Sequence, residues 1–177
     1  MPSGDFDLTM DELRVVARYV AETAEEVLAV FEDIRPQDPR PRSAIAAARQ
    51  FVDGAPRSKT QRVASLNAHR AASESPTEAA RLAAQAAGDA ASAAYLHPIA
   101  KGHQVGHILR AAANAARISE INSGDDPAAA DQVLQRASRR ASPALIDVLR
   151  RYPPAPAGKS RVAQLMSKLD SSLRARG

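Results

Sequence analysis

The sequence predicts an all-α protein: a single multi-helix bundle of six to eight helices with alanine-rich central helices. Alanine occupies 39 of the 177 positions, and alanine loses no side-chain entropy in a helix, whereas valine, isoleucine and threonine do. Apolar residues recur at three- and four-residue steps, which is the period of one helix face. The 12 prolines cluster at the boundaries of these periodic segments, where prolines start or stop helices.

Start and stop signals divide the chain into its predicted helices. A Ser, Thr or Asp N-cap predicts a start, as does a proline in the first turn or a Glu three residues after the cap. A glycine or proline after a periodic stretch predicts an end. These signals predict helices over residues 9–34, 38–52, 58–72, 75–96, 98–121 and 126–142, a break or restart at Ser142-Pro143, and a last amphipathic helix over 162–173.

Four of these residues carry specific expectations. Asp38 is the predicted N-cap of the second helix, and Ser75 is the predicted N-cap of the fourth. Val63 and Leu66 are predicted to point into the core from the third helix, because they share one face at helical spacing.

The chain is predicted to contain a helical bundle domain over residues 1–151. A proline-rich linker over 152–159 and a basic amphipathic C-terminal helix over 160–177 follow. Small side chains cover nearly every face in segments 79–94 and 111–116, so neighbouring helices could approach them closely. The alternative explanation for these alanines is that the whole chain is enriched in alanine, independently of packing.

Charge is segregated along the chain. Residues 1–34 contain 2 basic and 9 acidic residues, and residues 35–70 contain 8 basic and 2 acidic ones. Residues 71–135 contain 4 basic and 7 acidic residues, and residues 136–177 contain 10 basic and 2 acidic ones. The acidic first helix is expected to lie beside the basic second and third helices. The last block has no obvious internal partner, so nucleic-acid or anionic-surface binding through it is one candidate function.

Composition and motifs exclude several kinds of site. The chain has no cysteine, which excludes disulfides, thiolate metal sites and a cysteine nucleophile. The sequence contains no nucleophile elbow and no glycine-rich phosphate loop in a strand context, so we expect no enzyme activity and no cofactor. The acidic start lacks a signal-peptide pattern, and no apolar run is long enough for a membrane span, so a cytoplasmic location is expected.

Three histidines and one aspartate form a second candidate site. His103 and His107 stand four residues apart, which places both imidazoles on one helix face, as in metal pairs. Asp89 and His97 lie close enough along the chain to join them. A metal site at His103, His107 and Asp89, or a small-ligand site in the region of His97, His103 and His107, is one interpretation; capping or core hydrogen bonding is the other.

Two stretches of the chain carry a more specific pattern. One reads Asp-Pro-Arg-Pro-Arg over residues 38–42 and continues to Arg49. The other begins with Gly-Asp-Ala at Gly88, reaches His-Pro at residues 97–98 and is followed by His107. Over about residues 10–121 this order resembles the Imm-5-like immunity proteins of bacterial polymorphic-toxin systems. The resemblance implies an all-helical, non-enzymatic protein, and it assigns candidate binding roles to Arg40, Arg42, Arg49, His97 and His107.

An immunity protein of this kind would bind a protein partner, such as a cognate toxin, and block it. Inhibition by binding needs a complementary surface rather than catalytic residues. The net charge of +4 favours an acidic partner over a nuclease, because a nuclease active site is basic. For the arginines, the alternative is structural: Arg40 and Arg42 would fix the turn between helices by pairing with carboxylates of the first helix.

Overall fold

A computed structural model describes residues 4–177, so the first three residues of the predicted domain over 1–151 lie outside it. The described residues form eight α-helices and no strand, which confirms the predicted all-α bundle. The helices are α1 (Met10–Glu32), α2 (Arg40–Val52), α3 (Lys59–Ser73), α4 (Glu78–Ser92), α5 (Gly106–Asn122), α6 (Pro127–Arg140), α7 (Pro143–Arg150) and α8 (Arg161–Arg174). Two short 3₁₀ helices, Ala93–Tyr95 and Gly102–Val105, lie between α4 and α5.

The alanine-rich helices α4 and α5 lie at the centre of the bundle, as predicted. Helix α4 packs against α1, α2, α3 and α5, and α5 packs against α1, α4, α6 and α8. Alanine residues supply most of the buried positions of α4. Because an alanine presents only a Cβ, neighbouring backbones can approach such a helix closely on several sides.

Several predicted helix ends are confirmed by their capping bonds. The Thr9 hydroxyl accepts a hydrogen bond from the Glu12 amide, and the Glu12 carboxylate accepts one from the Thr9 amide. Asp126 and Ser142 cap α6 and α7, each followed by a proline in the first turn. The predicted break at Pro98, where the proline cannot continue a helix, is present but longer than expected, since α4 ends at Ser92 and α5 begins only at Gly106.

One predicted N-cap is wrong. Helix α4 begins after Thr77, whose hydroxyl accepts from the Ala80 amide, while the Ser75 hydroxyl donates back to the Ala71 carbonyl at the end of α3. Helix α2 begins at Arg40, one residue later than predicted, but the Asp38 carboxylate accepts the Arg40 amide at 3.1 Å, as the predicted N-cap would. The hydrogen bond from Ser75 to Ala71 competes with capping, so α4 begins later than predicted.

The predicted inward orientation of Val63 and Leu66 is also wrong, since both side chains are exposed. Helix α3 instead turns small and polar residues towards its neighbours. Gln61 donates to the Ala47 carbonyl of α2 at 3.1 Å, and Ser65 donates to the Gly88 carbonyl of α4 at 2.9 Å. These two buried hydrogen bonds fix which face of α3 is covered.

Helix α8 packs into the same hydrophobic core as the rest of the chain. Its residues Leu165, Leu169 and Leu173 are buried in that core, against α5, α6 and α7. The connection between α7 and α8 is anchored near its start, at Tyr152. The Tyr152 hydroxyl donates to the His97 carbonyl at 2.8 Å, and Arg174 donates to the Tyr152 carbonyl at 2.8 Å.

Among residues 4–177, none of the helices is both long enough and apolar enough to cross a lipid bilayer.

Candidate functional site

The cations of α2 are engaged in ion pairs within the chain. Arg49 binds both carboxylate oxygens of Glu25 on α1, at 2.6 and 2.7 Å, and Arg42 binds both oxygens of Glu32, at 2.6 and 2.8 Å. Each is a two-point guanidinium–carboxylate pair, which fixes relative orientation as well as distance. Together they join α1 to α2, as the structural interpretation of Arg42 predicts.

Arg40 has different partners from those predicted. It binds Asp38 in the preceding loop at 2.7 Å and Glu74 at the C-terminal end of α3 at 2.5 Å, so the prediction of a partner on the first helix is wrong. Asp38 also accepts the Arg40 amide, at 3.1 Å. Arg40 therefore ties the loop before α2 to α3. The binding role of the α2 arginines stays a prediction.

A buried carboxylate lies where α3, α4 and α5 meet. Asp89 on α4 is fully buried, and both of its oxygens accept hydrogen bonds from Arg110 on α5, at 2.6 and 2.8 Å. His69 Nε2 of α3 lies 3.5 Å from the same carboxylate. Gly88 leaves room for this imidazole, because a Cβ there would lie 2.6 Å from His69 Nε2. The Gly-Asp pair of the sequence pattern thus builds a three-helix junction.

His107 lies in the electrostatic field of this junction. Burial lowers the pKa of His107, the Asp89 charge partly offsets that effect, and the Arg110 charge adds to it. Its Nδ1 is buried and has no hydrogen-bond partner among the described atoms. His103 and His97 are exposed, and their charges also act on His107. Of the predicted histidine region, only His107 is therefore close enough to Asp89 to feel its charge strongly, and His97 and His103 face solvent.

The predicted metal ligands do not form a metal site. No three His, Asp or Glu side chains between residues 4 and 177 are grouped so that they could hold a metal ion. The trio of His103, His107 and Asp89 fails because Arg110 takes both Asp89 oxygens. His103 Nε2 instead lies 3.0 Å from the Gln104 amide nitrogen.

The basic C-terminal block has internal partners, which corrects the expectation that it has none. Arg151 pairs with Glu12 at 2.6 Å, and Arg161 pairs with the buried Glu120 at 2.7 Å. Five of the ten cations in residues 136–177 form ion pairs with carboxylates: Arg140, Arg151, Arg161, Lys168 and Arg174. Opposed charge blocks of the sequence therefore neutralise each other in the fold, and this weakens the case for a nucleic-acid surface there.

An exposed face of α3, missed by the sequence reasoning, carries both apolar and basic side chains. Leu66 is 61% exposed and Val63 is 43% exposed. Three cations are exposed on the same helix, Lys59, Arg62 and Arg70. None of these three forms an ion pair with a described residue, in contrast to the α2 arginines. The sequence did contain a sign of this orientation. Ala68, Ala71 and Ala72 lie on one side of α3, and this side of small residues packs against the alanine-rich neighbour and leaves the larger residues exposed.

A groove runs beside this face, between α3 and the start of α2. Its volume is about 590 Å³, and its walls include Pro39, Ser43, Val63 and Asn67. An apolar groove with a few polar groups is a common recognition site for a ligand or a partner side chain.

The family model described as "Imm-5 like putative immunity protein" matches residues 7–143 of the chain. The chain belongs to this family. The match covers α1–α6 and ends at the first residue of α7, so the immunity-protein region contains the α2 ion pairs, the Asp89 junction and the exposed face of α3. Comparison with curated proteins and with solved structures gave no match.

Proposed function

We propose that this chain is an immunity protein that neutralises a protein toxin by binding it, without catalysis of its own. The observation that carries the proposal is the family match over residues 7–143. Residue by residue, the sequence pattern of that family falls on helices α2, α4 and α5 and on the connection after α4. An inhibitor of this kind acts in the compartment of its toxin, and we place it in the bacterial cytoplasm.

The pairing of the buried acids supports a binding role. A general acid or base must reach a substrate proton. Asp89 is held by Arg110, and the buried Glu120 is held by Arg117 and Arg161. These carboxylates stabilise contacts between helices, so they are poorly placed for proton transfer. The exposed side chains are therefore better explained by recognition of a partner than by catalysis.

Co-expression with neighbouring genes tests the proposal. Each open reading frame beside the gene for this chain is induced in a bacterial host, with and without the chain. We expect one product to arrest growth alone and to be tolerated with the chain, and the two purified proteins to co-elute as a complex. The proposal is refuted if the chain suppresses the toxicity of none of the neighbouring gene products.

The predicted binding role of the α2 arginines needs a test that separates it from their ion pairs. Arg49→Glu alone breaks the pair with Glu25, whereas Arg49→Glu combined with Glu25→Arg can re-form it in reverse. If Arg49 serves only to join α1 and α2, the double variant regains toxin binding. If Arg49 contacts the toxin, the double variant folds normally but still binds more weakly than the wild type.

A further inference from the structure

We propose that the outer face of α3, defined here as Lys59, Arg62, Val63, Leu66 and Arg70, is the surface that docks the toxin. We propose further that the toxin presents an acidic face with an apolar recess to it. This inference rests on the proposed function, because it names the surface and the partner chemistry of the same binding event.

The apolar centre of this face is unusual for the chain. The large apolar side chains exposed in the described residues are Met10, Ile34, Val63 and Leu66, and Leu66 is the most exposed of them. Val63 and Leu66 stand three residues apart, so both lie on one side of the helix. Exposed aliphatic side chains grouped on one helix face are the anchors that a partner groove accepts.

The charges on α3 itself have one sign. Helix α3 has the sequence KTQRVASLNAHRAAS and contains no acidic residue. Lys59, Arg62 and Arg70 make no ion pair within the described chain, although Arg40, Arg42 and Arg49 on α2 all do. The cations of α3 are thus among those that the fold leaves unpaired, and they are available for carboxylates of a partner.

One of these cations is already oriented. The Arg62 guanidinium lies over the Tyr95 ring at 4.3 Å from its centroid, and the Tyr95 hydroxyl donates to the Ser58 carbonyl at 2.8 Å. The stacking holds Arg62 while its side chain stays exposed. A side chain that is fixed before binding loses less conformational entropy when the partner arrives.

The groove beside α3 extends this surface towards α2. It is lined by Val63 and Asn67 on one side and by Pro39 and Arg40 on the other. A second recess, formed by residues 34–40, shares Pro39 and Arg40 with it and includes the exposed Ile34. Apolar surface therefore continues from α3 to the loop before α2, and this widens the area that a partner can cover.

Charge complementarity selects an acidic protein as the occupant. A second copy bound through the same face in a two-fold dimer would place cations opposite cations. Nucleic acid offers phosphates to the cations, but its backbone provides no apolar recess for Leu66. A protein face with carboxylates around an apolar recess satisfies both the charges and the exposed side chains.

Binding measurements on three pairs of variants test this surface. The probe is the neighbouring-gene product that the chain neutralises, with binding followed by surface plasmon resonance. Leu66→Asp is compared with Met10→Asp, which changes an exposed apolar residue on α1. The double reversal Lys59→Glu/Arg70→Glu is compared with Arg136→Glu/Arg139→Glu on α6, which changes the net charge equally at exposed, unpaired cations. Leu66→Asp is also compared with the conservative Leu66→Met.

We expect Leu66→Asp to weaken the Kd by roughly 30-fold or more, as for a central anchor, and Leu66→Met to stay near the wild type. The α3 charge reversal is expected to slow association by about tenfold at low salt, with little effect from either control. The Tm of Leu66→Asp should match that of the wild type, because its side chain lies outside the core.

Four results would overturn the inference. Wild-type affinity in both α3 variants would place the toxin elsewhere and leave the proposed function standing. A wild-type dimer that Leu66→Asp dissociates would identify a second copy as the occupant. Tight duplex DNA binding lost in the α3 reversal would identify nucleic acid. If the wild-type chain binds no neighbouring product, the proposed function itself fails and the inference fails with it.

Discussion

The Arg110 guanidinium binds both oxygens of Asp89, a carboxylate that no solvent reaches, and so joins α5 to α4 at the centre of the bundle. A buried carboxylate is costly without a cation beside it. The same carboxylate lies next to His69 of α3. Three helices thus depend on one charge pair whose members are 21 residues apart in the sequence.

Arg110→Met should therefore destabilise the protein strongly. We expect a loss of about 3 kcal/mol in the free energy of unfolding, near the lower end for breaking a buried pair, because a third of the Arg110 side chain reaches solvent. Urea unfolding measures it. Arg18→Met, which alters an exposed arginine on α1, should change stability by less than about 0.5 kcal/mol. Equal stabilities of the two variants would contradict the role assigned to this pair.

The effect of Gly88→Ala on the free energy of unfolding should have opposite signs in the wild type and in a His69→Ala background. In the wild type the added Cβ would lie 2.6 Å from the His69 ring, so the imidazole must move and we expect a loss of about 1–3 kcal/mol. In a His69→Ala background that obstacle is gone, and replacing a helical glycine by alanine should then stabilise by about 1 kcal/mol. Four thermal or urea unfolding curves complete this cycle. The same effect in both backgrounds would show that His69 is not the neighbour that requires glycine.

Stability should fall as the pH is lowered from about 6.5. Burial lowers the pKa of His69 and of His107 below the ordinary histidine value of 6.5. Between the unfolded and folded pKa values, the unfolded chain therefore binds more protons and is favoured. Above pH 6.5 both states are neutral at these groups, so their contribution to stability is fully present there and is lost as the pH falls.

Urea unfolding at intervals from pH 7.5 to 5 measures this dependence, and His69→Gln/His107→Gln should flatten it. The paired carboxylates act in a lower range, because their arginine partners hold the pKa of Glu12 and Glu25 below 4.5. A slope that persists unchanged in the double variant would assign the pH dependence to other groups.

The sequence predicts best the features that depend on neighbouring residues. The capping box of Thr9 and Glu12 lies within one turn, and so do the caps at Asp126 and Ser142. The mistake at Ser75 is of the same local kind. Its hydroxyl had two possible partners, the start of α4 and the carbonyl of Ala71, and the sequence does not rank them.

Features that depend on distant residues were harder to predict. Arg151 and Glu12 are 139 residues apart, and charge counts along the chain do not show that such cations are paired. The orientation of α3 depends on α4, since an alanine-rich partner accepts Ala68 and Ala71 more closely than Leu66. The helical spacing of apolar residues, taken alone, predicts that Leu66 lies in the core. The exposed face of α3 therefore became visible only once the helices were assembled.

Leu169→Ala and Leu66→Ala make the same chemical change in two different environments. Leu169 on α8 is 1% exposed and lies in the common core, so its truncation should cost about 3 kcal/mol from lost burial and the cavity left behind. Leu66 is mostly in solvent, and its truncation should cost less than about 0.5 kcal/mol. Urea unfolding followed by circular dichroism should show one cooperative transition for each variant, because α8 shares its core with α5 and α6. An early, separate transition in Leu169→Ala would show instead that the C-terminal helix folds independently of the immunity-protein bundle.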